Sequence, residues 1–234
     1  MTPPAVPPLP PTNAPDTAAA RLAAVTAQVA RACADAHRDP RDVSIIAVSK
    51  TYDAAAIAPL ILRGQRAFGE NRVQETQGKW PALRERYPDL ALHMVGQLQS
   101  NKAEDAVALF DCIHSLDRPS LLAALARAMD RLGRRIPCFV QVDLAGEVQK
   151  GGCLVDRLPT LLAAARDAEV EVAGLMTVPP AALEPAPWFA LLAKIADDHG
   201  LAGLSMGMSG DFPTAVRIGA THIRVGSALF GARD

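Results

Sequence analysis

A lysine ends the first apolar run of this sequence. In DVSIIAVSKTYD, residues 42–53, the segment Val43-Ser44-Ile45-Ile46-Ala47-Val48 reads as a buried strand, and Lys50 follows where a turn residue is expected. An amine placed there, its stem along apolar surface and partly withdrawn from water, is a nucleophile able to condense with an aldehyde. A lysine that snorkels to solvent from a strand end fits the same pattern. The C-terminal stretch LSMGMSGDFPTAVRIGATHIRVGSALFGARD adds a second chemistry. Two strand-like pieces each run into a small-residue loop and a helix start, Met206–Ser209 and Arg224–Ser227. Glycines allow close backbone approach, serines add hydroxyl donors, and a helix start presents unpaired N–H groups, so Ser209, Gly226 and Ser227 suit a phosphate. Gly226 and Ser227 also suit a plain tight turn and N-cap. Arg224 would face the interior or the end of the sheet, where a guanidinium needs a ring nitrogen, a carboxylate or a phosphate. A salt bridge to a neighbouring strand is its simplest partner.

The elements that must position these residues alternate along the chain. Short apolar runs occur at Val43–Val48, Ala67–Gly69, Leu92–Val95, Cys112–His114, Cys138–Leu144, Val170–Leu175, Gly203–Met206 and His222–Val225, with helical periodicity between most of them. Leu121, Leu122, Leu125, Met129 and Leu132 mark one sheet-packing helix, and Leu158, Leu161, Leu162 and Ala165 another. Eight such units predict an α/β fold, a single (β/α)₈ TIM-type barrel, with an open doubly wound sheet as the alternative. In a barrel the loops at the C-terminal strand ends converge on one mouth, which gives Lys50 its meaning. An extra N-terminal helix is expected from about Asp16, with Leu22, Val25, Val29 and Cys33 on its apolar stripe. Residues 1–15 hold seven of the nineteen prolines and read as a disordered, proline-rich tail, leaving 16–234 as the barrel domain.

Composition narrows the function classes. The formal charge of -1, with basic residues scattered, leaves no footprint for nucleic acid. No apolar run is long enough to cross a bilayer, and no signal peptide is legible, so the reading is cytoplasmic with no membrane partner. Cys33, Cys112, Cys138 and Cys153 lack metal or redox spacing and read as small core residues in a reducing compartment, with no metal expected. Dinucleotide and P-loop glycine patterns are missing. An aldehyde-seeking lysine, a phosphate cup and an arginine between them together describe a site for pyridoxal 5′-phosphate.

Six ordered segments then carry a resemblance: AVSKTYDAAAI, FGENRVQE, HMVGQLQSNK, GLMTV, LSMGMSGDFPTAV and IRVGSALFG. They resemble the successive motifs of the pyridoxal phosphate homeostasis proteins, over about Asp42 to Gly231. The resemblance implies a barrel of the alanine racemase N-terminal-domain type, shared with eukaryotic ornithine decarboxylase. It implies that Lys50 forms an internal aldimine, that Ser209, Gly226 and Ser227 hold the phosphate, that Arg224 faces the pyridine nitrogen, and that Asn71 lies near the ring. Arginine at that nitrogen leaves it unprotonated and a poor electron sink. Racemases of this kind add a tyrosine base from a second domain; this chain ends at Asp234 without one, and its tyrosines are Tyr52 and Tyr87. The implied role is therefore non-enzymatic: reversible holding of pyridoxal 5′-phosphate for intracellular buffering or delivery, with no catalytic residue. PLP-dependent apo-enzymes are the candidate recipients, and the chain is expected to be a monomer or weak homodimer. The alternatives are a PLP-dependent amino-acid racemase or decarboxylase, a cofactor-free Schiff-base aldolase using Lys50, and an interaction module recruited through the tail.

Other residues in these segments carry paired expectations. Glu70 and Asn71 either reach the mouth or pair locally at a helix start. His93, at the start of a strand, reads as structural. Gln97, Asn101 and Lys102 suit contacts with neighbouring loops. Asp143 stands where the family commonly has asparagine and brings a carboxylate near the mouth. Glu147, Lys150 and Gly152 resemble a family loop segment that is a candidate gate for cofactor release.

Overall fold

β-branched and apolar runs become strands, and the stretches with helical stripes become the layer that covers them. The computed structural model describes residues 17–146 and 151–231. The strands are β1 (Ser44–Val48), β2 (Ala67–Glu70), β3 (Ala91–Met94), β4 (Cys112–Leu116), β5 (Cys138–Asp143), β6 (Cys153–Leu154), β7 (Val172–Met176), β8 (Gly203–Ser205) and β9 (His222–Val225). Helices α1 (Thr17–Asp35), α2 (Ala54–Leu62), α3 (Val73–Arg86), α4 (Ala103–Leu109), α5 (Pro119–Leu132), α6 (Leu158–Asp167), α7 (Ala186–Asp198), α8 (Phe212–Ile218) and α9 (Ser227–Phe230) lie between and around them.

Every described strand pairing is parallel, and the order β4-β3-β2-β1-β9-β8-β7-β5 is closed by β4 pairing with β5. That closing pair excludes the open doubly wound sheet and gives the expected eight-stranded barrel. All eight expected strands are present within a residue or two of their sequence boundaries. The two-residue β6 is an addition, paired with the end of β5 through Val142–Cys153 and Asp143–Leu154. It is too short to leave an apolar run in the sequence.

The helices end where local chemistry says they should. Asp53 caps α2 by accepting from the Ala56 N–H, and Gly133, at φ 59°, closes α5 in the left-handed conformation that glycine adopts without cost. Leu121, Leu122, Leu125 and Met129 are buried as expected, but Leu132 is 40% exposed, because it is the last residue of α5 before that turn. The expected extra helix is α1, with Leu22, Val25, Val29 and Cys33 buried. Arg21 of α1 and Arg38 just after it hold the last helices. Arg21 Nε donates to Leu229 O at 2.6 Å, and Arg38 donates to Val216 O and Ala220 O at 2.6 and 2.9 Å. Among the described residues no helix is long and apolar enough to cross a membrane. The proline-rich tail and the gate residues Glu147 and Lys150 lie outside the described residues.

Candidate functional site at the barrel mouth

The residues singled out by sequence fall on four neighbouring strands. Ser209 follows β8, Gly226 and Ser227 follow β9, Lys50 follows β1 and Asn71 follows β2, and β8-β9-β1-β2 are consecutive in the ring. The register sets Ile46 opposite Arg224 and Ala47 opposite Val225. Lys50 and the Gly226 loop therefore leave adjacent strands at nearly the same height. Lys50 is half-buried, and its amine makes no hydrogen bond or ion pair with a described residue.

The small-residue loops meet as a unit. Ser209 Oγ accepts from the backbone N–H of Gly226 and of Ala228, both at 3.2 Å, which ties the loop after β8 to the first turn of α9 and leaves the serine hydrogen free to donate. Gly207 is required by the chain itself: its φ is +92°, and a Cβ would lie 2.6 Å from that of Ala215. Gly226 is a different case. Its φ is -112°, and an added Cβ would meet Val48 only at 3.6 Å, so no close contact with a described residue demands glycine there. The side chain of Ser227 is exposed at the start of α9.

Arg224 is 6% exposed, with Nη1 donating to Ser205 Oγ at 2.7 Å and Nη2 to Thr177 O at 2.8 Å. No described carboxylate pairs with it, so the salt-bridge alternative does not hold. Burial pulls its pKa down to about 10, with Asp211 opposing the shift from a distance. Below it a chain of neutral groups fills the barrel. Ser205 Oγ contacts His114 Nδ1 at 2.8 Å, and His114 Nε2 contacts His93 Nδ1 at 2.9 Å. His114 also stacks on Phe139, with ring centroids 4.5 Å apart. Burial drives His93 and His222 down to about 4 and His114 well below its ordinary value, so all three are neutral at pH 7. His93 is thus a structural residue of the interior, as expected. Cys112 Sγ and the His93 and His114 nitrogens lie within 4.8 Å of one another, but the two imidazoles already satisfy each other. All four cysteines are free and buried.

Asn71 also lines, with Gly96, Gln97, Gln141, Asp143 and Met176, an open cleft of about 340 Å³. Gln97 Nε2 donates to Gln141 Oε1 at 2.6 Å, which joins the loop after β3 to strand β5. Asp143 Oδ1 accepts from the N–H groups of Ala145 and Gly146, at 3.1 and 2.9 Å. Lys102 is a surface lysine beside Asp105. A groove of about 580 Å³ along α1 is larger, but it is lined by one face of α1, from Ala19 to Ala30, with Arg63, Gly64 and Gln65 and lies on the outside of the barrel.

Glu70 turns away from the mouth. It is fully buried, and its Oε1 receives Ser49 Oγ at 2.6 Å, Lys79 Nζ at 2.8 Å and Trp80 Nε1 at 3.0 Å. Asn71 does not pair with it. Tyr52 stacks on Phe230 at 4.4 Å, with its hydroxyl 3.5 Å from Gly231 O, and Tyr87 ends α3. Sequence reasoning missed Thr177 and Ser205, which hold Arg224, although both lie inside segments that carried the resemblance. It also missed Lys79, whose spacing four residues from Glu75 on α3 was the available signal.

The family described as alanine racemase, N-terminal domain, matches residues 21–234. A pyridoxal phosphate homeostasis protein of Pseudomonas aeruginosa is 38% identical over 226 residues, covering 93% of this chain and 96% of that protein. The solved structure of PipY from Synechococcus elongatus with PLP bound is 40% identical, covers 92% of this chain and all of that one, and superposes with a TM-score of 0.82. An alanine racemase of Clostridium difficile, 14% identical with a TM-score of 0.69, shares the fold over 94% of this chain and 57% of its own. The chain belongs to the alanine racemase N-terminal domain family and, within it, to the pyridoxal phosphate homeostasis proteins.

Proposed function

We propose that this protein binds pyridoxal 5′-phosphate at the barrel mouth, reversibly and covalently through Lys50, and buffers or delivers it inside the cell. The observation that carries this reading is Arg224, a buried guanidinium that, among the described residues, pairs with no carboxylate and is held by neutral oxygens. Such a group needs an acceptor, and a pyridine nitrogen in the mouth is one. The donors fit the rest of the ligand. Ser209 and Ser227 suit a phosphate, and Gly226 leaves room beside them for its close approach. Asn71 borders the cleft beside the ring position. When bound, pyridoxal 5′-phosphate supplies an aldehyde that a primary amine bonds with loss of water and that a second amine can reclaim. The names of the relatives and the PLP-bound PipY structure support the assignment.

A holding role suits the site better than turnover. Arginine donates to the ring nitrogen without protonating it, so the ring would draw electrons weakly. Tyr52 is engaged with Phe230 and Gly231, and Tyr87 sits at the end of α3, so neither serves as a base beside Lys50. Delivery to PLP-dependent apo-enzymes, by a monomer or weak homodimer in the cytoplasm, completes the reading.

The test is the absorption spectrum of the protein and of Lys50→Ala with added pyridoxal 5′-phosphate, before and after borohydride, with peptide mass spectrometry. A visible band that reduction removes, leaving a pyridoxyl phosphate mass on Lys50 and missing from the variant, is expected. A protein that stays colourless with added ligand overturns the proposal. A borohydride-trapped sugar phosphate on Lys50 would then favour the aldolase.

A further inference from the structure

We infer that Glu75 and Lys79 of α3 are positioning residues for Lys50, holding the turn that carries it in a strained conformation matched to the ligand loops. The inference rests on Lys50 being the amine that bonds the ligand. Ser49-Lys50-Thr51-Tyr52 is a turn closed by Tyr52 N donating to Ser49 O at 3.1 Å. Thr51, inside that turn, has φ +69°, a left-handed conformation that is costly for a β-branched residue. Such a conformation persists only where surrounding groups over-determine it.

Here the surroundings are two side chains of one helix. Glu75 Oε1 accepts from the Thr51 N–H at 2.5 Å. Lys79 Nζ donates to the two carbonyls that flank the turn, Ser49 O at 2.8 Å and Tyr52 O at 2.9 Å. The same ammonium pairs with Glu70 at 2.8 Å and Glu75 at 3.1 Å, with its side chain only 11% exposed. Glu70 in turn accepts from Ser49 Oγ at 2.6 Å, so both ends of the turn are fixed from the outside of the barrel. No member of this set is aimed at the mouth. What it controls is the direction in which the Lys50 stem leaves the backbone, and a small error in that direction slows a bond-forming step steeply.

Two ligands separate this role from general support of the fold. Pyridoxine 5′-phosphate carries the ring and phosphate but no aldehyde, so it reports the anion loops and Arg224 alone. Pyridoxal 5′-phosphate also reports Lys50. In Lys79→Met and in Glu75→Met, affinity for pyridoxine 5′-phosphate should stay within about twofold of the parent, while the rate of borohydride-trappable adduct formation on Lys50 falls about tenfold or more. Glu75→Gln keeps an acceptor for the Thr51 N–H and should restore most of that rate. Glu75→Met leaves the Lys79–Glu70 pair in place, so it remains informative if Lys79→Met fails to fold. An unchanged adduct rate in Glu75→Met overturns the inference, as does an equal loss for both ligands. A parent protein that binds neither ligand overturns the ligand assignment itself, and this inference with it.

Discussion

Between the strands and the helices the packing is mostly apolar, with Trp80, Phe110, Phe189 and Phe212 all buried and the Glu70–Lys79 pair as a polar exception. Inside the ring the space is filled instead by His93, His114, Gln141, Ser205 and Arg224 around a small apolar cluster of Cys112, Phe139 and Met176. The outer shell is one continuous core that spans every helix layer and supplies most of the burial. The interior forgoes part of that gain, holding neutral imidazoles and one guanidinium in a hydrogen-bonded column that ends at the mouth. Stability and ligand chemistry are thus assigned to opposite faces of the same strands, which the two-residue alternation of a strand makes possible.

The separation can be attacked first from the shell. Phe110→Ala removes a fully buried ring and should cost about 3–5 kcal/mol in urea unfolding. Spectral binding of pyridoxal 5′-phosphate by the remaining folded protein should be unchanged.

Acid attacks the interior. His93 is lowered from 6.5 to about 4 by burial, so between these values the unfolded chain binds more protons than the fold. The contribution of this group is complete above about pH 6.5 and is lost as the pH falls towards 4, roughly 3 kcal/mol in all. His222 is shifted the same way and should steepen the decline. Urea midpoints measured across this range should fall with acidification, and His93→Gln should flatten the slope.

The sharpest contrast carries the smallest change in stability. Arg224→Leu removes a buried charge that has no carboxylate partner among the described residues, so stability should stay within about 1 kcal/mol of the parent, where breaking a buried ion pair would cost about 3–5 kcal/mol. Affinity for pyridoxine 5′-phosphate should nevertheless fall at least tenfold. A large loss of stability with binding intact would mean that the interior column supports the fold after all.

How much of this was legible in the sequence follows from the range of each interaction. The strands, α1 and the position of Lys50 just past β1 are written in local periodicity, and the barrel rule converts strand ends into one mouth. The order of the ring then brings Ser209, Gly226, Lys50 and Asn71 into one arc. The interior column was not legible, because His93, His114 and Ser205 come from β3, β4 and β8, and their contacts span up to 91 residues. Lys79 was hidden for the same reason, since it reaches back 30 residues to Ser49 and no periodicity marks an ammonium that caps a turn. Gly226 is the reverse case. Its type was conspicuous in the sequence, yet no described residue gives it a steric need to be glycine.

The seam between β1 and β9 also places the mouth in time. Ile46 and Arg224 are strand partners although 178 residues separate them, and Arg21 of α1 and Arg38 after it reach α9 and α8. On a ribosome the lysine turn is made well before the loops after β8 and β9. Until β9 is made, the flank of β1 stays unpaired, and the growing chain must keep it from foreign strands. A nascent chain stopped short of β9 would therefore carry the Lys50 turn on an open sheet edge, without the Gly226 loop that β9 sets beside it.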